Sequence, residues 1–204
     1  EAAIGHVDEA PTGTLRAEDT QPFRYRTWLF AQAGTVHGVG RIGPRLSEHI
    51  AAFLLPNVRG DTDAELCFYL FLSQLHDAGR LDTPRNDPAA VVDSLRASLA
   101  VVDRLSAEQG RPADDLDLMV SDGEHLFAVH RSGQMAHRTL AGRQALVALP
   151  GGEERHAERL PGIDRARYTV VAAPAAPATP DWTTLPTRVI FTASREAPPT
   201  IEPV

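Results

Sequence analysis

The chain has 204 residues, a formal net charge of −7, and 43% hydrophobic and 23% charged residues. That is the balance of a folded protein able to bury a full core, and residues 1–204 are read as one domain. So acidic a chain disfavours nucleic acid as a partner; all 20 basic residues are arginine, so this sequence offers no lysine for Schiff-base chemistry or for a lysine-based phosphate loop. The single cysteine, Cys67, fits a reducing compartment. No apolar run approaches the roughly 18 residues of a membrane span, and no signal peptide is visible. The cytoplasm is therefore the expected location, with no membrane partner.

In chain order, residues 2–7 read as a short strand, followed by a polar loop to Pro22. Residues 28–31 and 35–38 read as two strands joined at a tight bend through Gln32-Ala33-Gly34. Gly43-Pro44 starts a helix, proline being well placed at the first helical position; Leu46, Ile50, Phe53 and Leu54 form its apolar face, and Pro56 stops it.

The most informative stretch is residues 60–76. A glycine and two aspartates open it, and Asp61 or Thr62 can cap the free N–H groups of a helix start. Asp63 and Glu65 place negative charge on the positive end of its dipole. Residues 66–72 are all apolar or aromatic, so this helix is buried on more than one side. Asp63 stands at the mouth of that dry helix. There it either caps the backbone or receives a ligand's ammonium group.

After a polar connection over residues 79–87, Asp87-Pro88 opens another helix. Val91, Val92, Leu95, Leu99, Val102 and Leu105 form its amphipathic stripe, and Gly110 ends it. Strands follow. Residues 116–121 and 125–131 flank the hairpin signal Asp122-Gly123. Further strands are expected over 134–139, 144–149, 168–173 and 187–193, with loops over 151–162 and 174–180. Hairpins without βαβ alternation argue α+β, with antiparallel sheets and helices packed outside.

By themselves these residues name no reaction. His125, His130 and His137 lie near one hairpin without the spacing or carboxylates of a metal site. No Gly-x-Ser-x-Gly elbow occurs. Cys67 sits mid-helix among aromatics, where a thiol stays protonated and inert. No metal or cofactor is expected.

Six segments in register carry a resemblance. They are His6-Val7-Asp8-Glu9-Ala10, Thr20-Gln21-Pro22-Phe23, Trp28 through Val36, Gly60-Asp61-Thr62-Asp63-Ala64-Glu65, Ser121-Asp122-Gly123-Glu124, and Val170-Val171-Ala172 with Trp182 and Pro186. Together they resemble the class II glutamine amidotransferase domain of the N-terminal-nucleophile hydrolase superfamily. The subgroup they resemble most contains the ergothioneine-pathway amidohydrolase and its bacterial relatives. The resemblance implies a four-layer αββα sandwich, two antiparallel sheets between helix layers.

In active members an N-terminal cysteine attacks a glutamine amide, with its own α-amine as base. An asparagine side chain and the next glycine's N–H hold the oxyanion. An arginine grips the substrate carboxylate, and an aspartate takes its ammonium. Carried over by position, the aspartate is Asp63, beside Thr62 and Glu65 as further substrate-site residues, and the oxyanion glycine is Gly34. The asparagine position is Ala33, the arginine position is Asp8, and two family histidines fall at Gln32 and Gln21. The nucleophile and its leading strands are expected upstream of Glu1.

Ala33 has no donor to offer, a loss that typically costs about 10²–10³ in rate, and Asp8 repels a carboxylate. These changes imply a domain impaired or inactive toward glutamine. The alternatives are an amidohydrolase acting on a γ-glutamyl or other amide through an upstream cysteine, and a non-catalytic interaction subunit. The expected partners are a small amide or amino-acid ligand, and a second copy or another subunit.

Overall fold

The computed structural model describes residues 2–7, 16–110, 116–147, 162–165, 167–173, 181–195 and 197–204. In order, the elements are β1 (Phe23–Tyr25), β2 (Trp28–Gly34), α1 (Val39–Ser47), α2 (Asp63–Asp77), α3 (Pro88–Glu108), β3 (Leu116–Ser121), β4 (His125–His130), β5 (Ala136–Ala141), α4 (Gly142–Val147), β6 (Arg167–Ala172), β7 (Thr183–Thr184), β8 (Val189–Ser194) and β9 (Thr200–Pro203). They group into two compact units, residues 1–132 with 186–204 and residues 133–185.

The first unit holds an antiparallel sheet in the order β1-β2-β3-β4-β8-β9. Side chains alternate between its faces. Phe30, Leu118, Val120, Phe127, Val129 and Ile190 are all buried in one core cluster with the helices. α2 packs against β2, α1 and α3. As its sequence implies, it is buried around most of its circumference, from Ala64 and Cys67 to Phe71, Leu72 and Leu75. Phe68 stacks on Phe30 with ring centroids 5.3 Å apart, and Trp28 meets Phe71 edge-on at 5.4 Å.

α3 is capped by the Asp87 side chain, which accepts from Ala89 N at 3.1 Å. Its whole expected stripe is buried, and Gly110, at φ 72°, follows its C-cap. The second unit holds the antiparallel sheet β6-β5-β7, with α4 against β5. The α+β class with two antiparallel sheets is thus observed.

Several elements differ from expectation. Residues 2–7 form no strand; they pair with no described strand, and Val7 is 95% exposed. Instead of two strands around Gln32-Ala33-Gly34, β2 runs straight through to Gly34, because β3 supplies a ladder partner for every residue up to Gly34↔Leu116. The bend comes at Gly34 itself, whose φ of 86° favours glycine. The short β1 precedes it, joined by a turn in which Arg26 adopts φ 54°.

α1 begins at Val39, ahead of Pro44, and ends at Ser47. Gly43 inside it lets the helix approach α2, since a Cβ there would stand 3.3 Å from Leu66 Cδ1. Ile50 and Leu54 are buried beyond its end, while Phe53 is 46% exposed. The strand expected over 144–149 is the helix α4 as far as it is described: Gly142, at φ 73°, turns the chain off β5, and good helix formers follow. The strands expected at 134–139, 168–173 and 187–193 appear as β5, β6 and β8 within two residues. The loop at 174–180 and nearly all of the loop at 151–162 lie outside the described residues. No described helix is long and apolar enough to cross a membrane.

Replacing Phe68, which is fully buried, by alanine is expected to lower the unfolding free energy by about 3–5 kcal/mol in urea titrations. A loss below about 1 kcal/mol would contradict its central place in the core. Burial, with the Asp63 charge adding to it, pushes the Cys67 thiol well up, so iodoacetamide should spare it in the folded protein at mildly alkaline pH and label it in denaturing guanidinium. The folded state holds this proton after the unfolded chain has released it. Stability should therefore fall as pH rises past the ordinary thiol value of about 8.5, and fall less in Cys67→Ala.

Candidate functional site

The site starts where β2 runs out of backbone partners on its β1 side, while β3 still pairs with it on the other. The β1–β2 ladder pairs Phe23 with Phe30, Arg24 with Leu29 and Tyr25 with Trp28; continued two steps, the same register sets Gln21 opposite Gln32. There a side chain takes over from the backbone. Gln32 N donates to Gln21 Oε1 at 2.6 Å, and Gln21 Nε2 donates to Gln32 O at 3.3 Å. One glutamine amide supplies both halves of a ladder pair, which keeps β2 extended through Gln32.

Gln32 is 3% exposed. Its Nε2 donates to Asp63 Oδ2 at 2.9 Å, and Val36 N donates to the same oxygen at 2.5 Å. The amide orientation follows from this contact, because a carboxylate only accepts. Gln32 Oε1 then lies buried with no partner among the described residues, and a buried acceptor left unpaired costs about 1–3 kcal/mol.

Asp63 does not cap its own helix. Thr62 does, its Oγ1 accepting from Glu65 N at 3.2 Å. Asp63 is therefore free to reach across to β2 while its negative charge still favours the helix N-terminus. It is half-buried, and among the described residues only its Oδ2 accepts a hydrogen bond.

Glu65 is 4% exposed and fully committed. Its Oε1 accepts from Arg59 N at 3.0 Å and its Oε2 from Gly60 N at 2.7 Å. It holds the loop that delivers Asp63. A Cβ on Gly60 would press on the Asp19 carboxylate and stand 3.1 Å from Glu65 Oε2, so a side chain there would have to displace the end of Asp19. Burial first, and then the Glu65 charge, raise the Tyr69 phenol one turn along, with Arg59 pulling the other way.

Ala33 and Gly34 sit between the two residues that Asp63 holds. Ala33 is half-buried and pairs with Asp117, and Gly34 is exposed. The methyl of Ala33 donates nothing. The structure therefore brings Thr62, Asp63 and Glu65 to the start of α2, and Asp63 to the tail of β2 that carries Ala33 and Gly34. Asp8 lies outside the described residues.

Sequence reasoning missed the buried acid beside Ala33. Asp117 is 7% exposed and accepts from Arg131 N at 2.7 Å and Ser132 N at 3.2 Å, with His130 Nδ1 3.2 Å from both of its oxygens. Arg131 in turn grips Asp103 of α3 at 2.7 and 3.1 Å. A carboxylate in a strand that alternates with leucines gives no periodic sign of burial. His125 pairs with Asp122 at 3.0 Å. Among the described residues no group of three or more His, Cys, Asp or Glu side chains could hold a metal.

With this geometry in hand, a family model described as glutamine amidotransferases class-II matches residues 1–145. The yeast (Saccharomyces cerevisiae) protein "Probable glutamine amidotransferase DUG3" is 25% identical over 207 residues. The match covers 95% of this chain and 57% of that protein, so the chain spans little more than half the length of this curated relative. Among solved structures, a glutamine aminotransferase class-II domain protein from Silicibacter pomeroyi superposes with a TM-score of 0.62 at 20% identity, over 92% of this chain and 72% of that one. A second, described as a predicted glutamine amidotransferase from Pseudomonas aeruginosa, gives 0.52 at 17% identity, over 87% and 63%. These two likenesses bear on the fold alone. The tail of β2 closing on the acidic start of α2 lies within the matched span, and the chain belongs to the class II glutamine amidotransferase family.

Proposed function

We propose that this chain is a single class II amidotransferase-type domain that no longer hydrolyses glutamine at an ordinary rate, and that it serves as a ligand-binding or partner subunit in the cytoplasm. The observation that carries this reading is Ala33. At the end of β2, where the family places an amide donor beside the oxyanion glycine, stands a methyl group, next to a Gly34 of left-handed φ. A tetrahedral oxyanion formed there keeps one donor, the Gly34 N–H, and loses the other. The loss of one such donor typically costs about 10²–10³ in rate.

The ligand side of the pocket supports retained binding. Asp63 is held by two donors on one oxygen, Gln32 Nε2 and Val36 N, a degree of pre-organisation suited to receiving a cationic group. This retention also favours a second reading, cleavage of a different amide by a cysteine upstream of Glu1. In that case an amide-derived electrophile would label an N-terminal cysteine of the full-length protein.

The test is glutamate release from L-glutamine by the full-length protein. Expected is a rate at least about 10²-fold below that of an active class II enzyme assayed alongside. Release at the rate of the active enzyme would overturn the reading.

A further inference from the structure

We draw no further inference here: the strongest candidate, the outer edge of β6, whose exposed Tyr168 and Val170 lie on a strand that pairs only with β5 among the described residues, carries none because nothing in the structure shows what covers it.

Discussion

One carboxylate oxygen, Oδ2 of Asp63, joins the two elements on which the candidate site depends. It accepts from Gln32 inside β2 and from Val36 just past the strand's end, and so fixes the path of the chain through Ala33 and Gly34. Remove that tie and the tail of β2 loses two hydrogen bonds to a charged group, each the stronger kind of protein hydrogen bond. The helix that presents the carboxylate is among the most deeply buried of the described elements. α2 is buried on nearly every side, and its aromatic residues stack into the sheet. A carboxylate on the first residue of such a helix has few ways to wander.

Around that fixed point the neighbouring side chains are committed to structure. Thr62 caps the helix that carries Asp63, and the loop delivering Asp63 is anchored by a buried glutamate. Ala33 offers no side-chain donor. Two glutamines have a structural use: Gln21 completes a ladder and Gln32 grips Asp63.

Much of this was legible in the sequence, and the limits have physical causes. α2 and α3 announce themselves through an unbroken apolar run and a clean stripe with cap and stop signals, and the Asp122-Gly123 hairpin through its turn chemistry; all three appear where expected. Residues 2–7 and 144–147 mislead because short apolar runs look like strands whether or not a partner edge exists. Gln32-Ala33-Gly34 looks like a bend because β-propensity is low there, yet a full ladder from β3 overrides it. In the site, Thr62 and Asp63 were readable from the helix-start pattern. The division of labour between them was not, since either side chain could cap. Gln21 standing in for backbone has no periodic signature at all, and neither has the buried Asp117–His130 pair.

The tie at Asp63 is measured most directly by amide hydrogen exchange at Val36, a residue outside any strand. If Asp63 Oδ2 holds that N–H, it exchanges slowly in the native protein and quickly in Asp63→Ala, while Leu70 in the middle of α2 stays protected in both. A Val36 amide that exchanges at the same rate with and without the Asp63 carboxylate would contradict the account.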